Sequence, residues 1–85
     1  MHRPWPDPQP NQNVMIVCYC KPLDFPEYAV LRAQYVSAGK IEAHGLAMLF
    51  PTVDDAVRFM RRNYPDKVFM DRHPNDEMQI VGAWI

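Results

Sequence analysis

Tyr28–Ser37 (YAVLRAQYVS) fits two templates, and the rest of the chain is arranged differently under each. As a helix it would begin with Asp24 and Glu27 as a capping box, Pro26 in the first turn and Gly39 just past the end. The wheel then places Arg32 in the middle of the face made by Phe25, Tyr28, Ala29 and Val36. As a strand the same residues separate: Ala29, Leu31, Ala33 and Tyr35 on one side, Arg32 and Gln34 on the other. Strict alternation is the signature of a half-buried strand, so the strand is preferred. Ala38-Gly39-Lys40 then turns the chain, with Gly39 able to take the positive φ of a short hairpin. Ile41–Phe50 (IEAHGLAMLF) returns as the partner strand, with Gly45 marking a bulge.

Beyond the hairpin, Phe50–Asp66 (FPTVDDAVRFMRRNYPD) specifies a helix. Thr52 is an N-cap, and Asp55 three residues on sets up a reciprocal capping bond. Asp54 and Asp55 lie in the first turn and Arg61 and Arg62 in the last, as the helix dipole favours. Pro65 cannot continue the helix and drives Tyr64 out of the α region. Val53, Ala56, Val57, Met60 and Tyr64 recur as one buried stripe, with Asp54, Asp55, Arg58, Arg61 and Arg62 opposite and Phe59 between.

On the N-terminal side, Val14–Cys20 (VMIVCYC) is apolar on both faces and reads as a central strand. Lys21–Glu27 is a loop holding two prolines. Lys67–Asp71 and Met78–Ile85 read as further strands around the polar turn Arg72–Glu77. The fold class expected is α+β: a mostly antiparallel sheet of about five strands with one helix, Thr52–Asn63, packed on one face. If Asp24–Ala38 is helical instead, the order becomes βαβαββ, a two-layer sandwich. In either case one sheet face is incompletely covered, and such a face must be polar or meet another molecule.

Residues 1–13 (MHRPWPDPQPNQN) form a separate region before the domain of residues 14–85. Four of the nine prolines fall in the first ten residues, and Trp5 is the region's only large apolar side chain. So little apolar surface does not offset ordering entropy, and a disordered, mobile arm is expected.

Eighty-five residues and a net charge of −1 describe one small domain with no global pull toward nucleic acid or anionic membrane. No secretory signal or membrane-length apolar run is visible, so a cytoplasmic protein is expected. Cys18 and Cys20 are spaced to point the same way along a strand, which resists an intrachain disulfide. Both are expected to be small buried hydrophobes in a reducing compartment.

Candidate chemistry is sparse. His73, flanked by Asp71 and by Asp76–Glu77, is raw material for acid–base work, but it also has the composition of a solvated turn. Cys18, Cys20, His44 and His73 match no structural-zinc spacing, and Gly39, Gly45 and Gly82 are too isolated for a phosphate loop, so no metal or cofactor is expected. Arg58, Arg61 and Arg62 could contact phosphates, but Asp54 and Asp55 share their face and pair at helical spacing, so direct nucleic-acid binding is not expected.

What remains is partner binding. The expected contact residues are Asp55, Arg58, Phe59 and Arg62 on the outer side of the helix, with Asp71, Arg72, His73, Asp76 and Glu77 in the loop. The chain is expected to be a non-enzymatic module occupying the surface of a protein or ribonucleoprotein. By size and elimination, not by motif, this is the class of compact inhibitors and adaptors that phages and mobile elements encode, anti-CRISPR proteins among them. A small hydrolase using His73 with Asp71 or Asp76, or a homodimer built by sheet extension, are the alternatives.

Overall fold

The chain's most apolar strand lies at the centre of its sheet. In the computed structural model, which describes residues 2–85, β1 (Asn13–Cys20), β2 (Ala29–Ser37) and β3 (Lys40–Phe50) form an antiparallel meander. The helix α1 (Val53–Asn63) then leads to β4 (Phe69–Asp71) and β5 (Ile80–Trp84). The five-stranded order is β3-β2-β1-β5-β4, with every neighbour antiparallel. Tyr28–Ser37 is thus strand, as its alternation requires. The sharp turn between Ser37 and Lys40 rests on Gly39 at φ 72°.

Register divides the side chains into two sets. Val14, Ile16 and Cys18 of β1 oppose Tyr35, Ala33 and Leu31 of β2, and this set faces the helix. Trp84 extends it through β5, and Met48 and Phe50 through β3. Ile16, Cys18, Leu31, Ala33, Ala56 and Met60 are all fully buried there. Met60 and Ala56 come from the stripe read in the sequence, with Val53 and Val57 packed beside them. Burying a side chain such as Met60 contributes about 1.5–3 kcal/mol relative to leaving it exposed.

The helix ends follow their local chemistry. Thr52 is extended at φ −139°, ψ 162°, and its hydroxyl oxygen accepts the Asp55 N–H. The return bond differs from a capping box: the Thr52 hydroxyl donates to the Asp55 carboxylate, whose other oxygen takes Arg58. At the far end Tyr64 leaves the helix at φ −132°, ψ 56°, ahead of Pro65.

Two expectations are corrected. The arm is docked on the molecule. Trp5 is 4% exposed, its indole N–H donates to the Leu46 carbonyl at 3.1 Å, and its ring lies 6.2 Å from that of Tyr64. The Tyr35 hydroxyl donates to the Pro6 carbonyl, and Arg3 donates to the Asn63 carbonyl and pairs with Asp66. Proline explains how so polar a segment is ordered. Its restricted φ lowers the entropy lost on docking, so one buried indole and a few hydrogen bonds are enough. The bulge matters here too. Arg32 pairs with Ala47 and Gln34 with Ala43, so His44, Gly45 and Leu46 all lie opposite Ala33. That irregularity is where the Leu46 carbonyl turns to meet the indole.

The second correction concerns the thiols. Cys18 is buried, but Cys20, at the end of β1, is exposed. Strand parity put both on one face. The helix, however, covers only part of that face, and Cys20 lies beyond it.

Candidate binding surface

The helix contacts β1, β2 and β3 on one side of the sheet. The side chains of opposite parity face away from it: Met15, Val17 and Tyr19 of β1, paired with Gln34, Arg32 and Val30 of β2. Ala83 and Met70 continue this face across β5 and β4, and Leu49, Ala47 and Ile41 across β3. Apart from Arg32, Gln34 and the Tyr19 hydroxyl, these positions are apolar. Ile41 is 68% exposed, Met70 52% and Leu49 40%. Between them Val17 is 5% exposed and Val30 fully buried, so the most exposed apolar side chains of this face stand on its two edge strands.

One corner of the face is closed. Lys21, at φ 52°, turns the chain out of β1, and its N–H bonds the Tyr28 carbonyl at 2.9 Å. The loop between them lies on this side of the sheet: Arg32 pairs with Asp24 and stands near the rings of Tyr19 and Phe25. Val30 is fully buried at this corner although it points away from the helix. Asp24, a residue expected in a helix cap, instead neutralises Arg32. Burial pushes the Tyr19 phenol above its usual pKa, with Arg32 pulling the other way.

Toward β4 the face deepens into a cleft of about 310 Å³. Its floor includes Met15, Val17, Ile80 and Ala83, and Asp71, Arg72, His73 and Asp76 border it. Glu77 lines a neighbouring recess with Tyr19 and Leu23. The loop is tied to itself. The Arg72 guanidinium donates to the Asp76 and Glu77 carbonyls, the His73 N–H donates to the Asp76 carboxylate at 2.9 Å, and the Asn75 N–H donates to His73 Nδ1 at 3.1 Å.

The expected contact residues therefore do not form one surface. Asp71, Arg72, His73, Asp76 and Glu77 border the open face. Asp55, Arg58, Phe59 and Arg62 share a separate shallow depression on the helix side. Phe59 is half-buried there, with its ring 5.4 Å from Phe50 and 6.4 Å from Tyr64, so it serves mainly as packing. Asp55 and Arg58 satisfy each other. The open face itself is not among the expected contact residues. Its signal was present in the second apolar row of Val14–Cys20.

The hydrolase alternative gains nothing from the geometry. The Asp76 carboxylate bonds the His73 backbone, and the imidazole takes a backbone N–H. Among the described residues no hydrogen bond joins that ring to a carboxylate. Among them, too, no three His, Cys, Asp or Glu side chains gather as metal ligands. Among the described residues no helix is long and apolar enough to cross a membrane.

Cys18 has a pKa pushed up to about 11, by burial first and by Cys20 second. A thiolate is the reactive form, so the two cysteines should differ sharply. Titration of the native protein with a thiol reagent at neutral pH should modify Cys20 quickly and Cys18 only on unfolding. Equal rapid modification of both would show that β1 is not buried as described.

No family model, curated protein or solved structure matches the chain. The fold and its surface define only a class: a small α+β domain with one sheet face covered by a helix and the other open and apolar.

Proposed function

We propose that this chain is a non-enzymatic protein-binding module that works by seating a surface against a protein or ribonucleoprotein, as compact inhibitors and adaptors do. One observation carries the proposal: the sheet face opposite the helix is apolar across its strands, and side chains such as Met70 and Ile41 stand exposed on it. Removing such a face from water yields about 25 cal/mol per Å² of apolar area, and a partner is what removes it. The loop Asp71–Glu77 supplies a charged border, which sets orientation and encounter rate more than affinity.

The test is retention of a partner from host extract on immobilised protein. Wild type should hold a protein, whether another chain or untagged copies of this one, that the Met15→Glu/Met70→Glu variant releases. His73→Ala should leave retention nearly unchanged. Loss of a measurable activity in His73→Ala, or identical retention by wild type and the double variant, would end this proposal.

A further inference from the structure

We infer that the cleft beneath the docked arm binds a small organic carboxylate, held through the Tyr64 hydroxyl and the Lys67 ammonium. The cleft lies on the helix side of β1, away from the open face, so this ligand is independent of the protein-binding reading.

Tyr64 is 5% exposed, and its hydroxyl has no hydrogen-bond partner among the described residues. Buried polar groups are nearly always paired, and leaving one unpaired costs its full desolvation. The hydroxyl lies under the arm. Burial pushes its pKa up; the Trp5 backbone N–H and the Arg3 charge pull the other way, and the Asp7 charge adds to the rise. Those three residues belong to the arm and, with Tyr64, line a cleft of about 210 Å³. The Trp5 N–H is a donor, so the phenol proton still lacks an acceptor.

Lys67 supplies a charge to the same cleft. The turn after α1 brings its backbone N–H to the Tyr64 carbonyl at 3.2 Å. Its half-buried ammonium donates to the Val14 carbonyl at 3.1 Å and makes no ion pair among the described residues. An ammonium has three donors, so this one keeps two to give. Burial lowers the Lys67 pKa, and an anion beside it would restore the charged form.

The walls select the ligand. Trp5, Pro8, Val14 and Ile16 offer apolar surface, and an apolar cavity of about 150 Å³ is enough to hold a benzene ring. At the rim Arg3 is paired with Asp66, and Asp7 stands exposed. A phosphate dianion would meet those two carboxylates with twice the charge of a carboxylate ligand. An acceptor for the phenol, a negative charge for the lysine and an apolar body together describe an aromatic or short-chain monocarboxylate.

Benzoate is the probe, titrated into the full chain and followed by amide chemical shifts. Saturable shifts should concentrate at Trp5, Asp7, Val14 and Lys67, with a dissociation constant on the order of 1 mM. Benzyl alcohol, which keeps the ring and lacks the charge, should bind at least about tenfold more weakly. Tyr64→Phe removes only the hydroxyl. It should weaken benzoate by about tenfold and leave the melting midpoint unchanged or higher, because no protein hydrogen bond is lost. Lys67→Met should weaken benzoate as much; if it fails to fold, Tyr64→Phe decides. Met70→Glu, on the open face, should bind benzoate as wild type does. A cleft that shows no saturable shifts holds only water, and the inference is overturned. Binding that survives the Tyr64 and Lys67 substitutions overturns it too, as does benzyl alcohol binding as tightly as benzoate. Retention of a protein partner is read in a separate assay, so the carboxylate site and the binding module stand or fall apart.

Discussion

Trp5→Ala is expected to lower stability by about 3–5 kcal/mol, the range for removing a large buried aromatic from a core. The residue lies in the segment whose composition most strongly suggests a solvated tail, yet it is 4% exposed and closes the gap between the end of α1 and the bulge in β3. Its loss would uncover the Tyr64 ring, which also lies under the Arg3 guanidinium at 4.5 Å. It would also leave the Leu46 carbonyl without its donor. At roughly 4–8 °C per kcal/mol for a domain of this size, the melting midpoint should fall by more than ten degrees. Trp5→Phe separates the contributions: the ring stays, the indole N–H goes, and the loss should be nearer ~1 kcal/mol plus whatever repacking adds. Thermal unfolding followed by circular dichroism measures both. A Trp5→Ala protein melting within a degree of wild type would mean that the arm is solvated after all.

The arm also shows where sequence reading stops. Its proline spacing and polarity, set against one apolar side chain, predict a solvated segment. Two partners of that side chain are not displayed by local sequence. One is the Leu46 carbonyl at a bulge some forty residues away. The other is the pocket beside Tyr64, which exists only once the helix has crossed the sheet. By contrast, the elements themselves were legible because each rests on local rules. Alternation in Ala29–Tyr35 specifies a strand, the Thr52 cap and Pro65 bracket α1, and the two-sided apolarity of Val14–Cys20 specifies the centre of the sheet.

The candidate surface was legible in a different sense. Met15, Val17 and Tyr19 read as a second apolar row, which predicts a sheet face the helix does not cover. Charged and aromatic side chains are conspicuous in local sequence. A flat apolar face does not stand out, because its members (Met15, Ala47, Ala83, Met70) sit on four different strands and become one surface only through pairing register. Register also assigned Arg32 to that face, where Asp24 neutralises it. The acidic loop and the helix patch, by contrast, were expected to act together. They are held on different sides of the sheet because the helix packs on one face and the turn before β5 borders the other.

Gly82→Ala is the second large effect expected, and it tests the sheet where the open face begins. Gly82 pairs with Cys18 on one side and with Asp71 on the other. The Phe69 ring lies across it and meets Trp84 at 4.8 Å between centroids. A methyl group there would collide with Phe69 Cζ and stand 2.5 Å from the Met70 carbonyl oxygen. The ring can rotate away, but the carbonyl is backbone and moves only if β4 moves. With three residues, β4 has little pairing to lose before it detaches. Overpacking of this kind costs about 1–3 kcal/mol, and more where backbone must shift. The expected readout is faster amide exchange confined to residues 68–72 and a lower melting midpoint, with β1, β2 and β3 still protected. Because Met70 rides on β4, the same substitution should also weaken whatever docks on the open face, without changing a single side chain that points into it. Unaltered exchange in β4 would mean that this edge has room the geometry does not show.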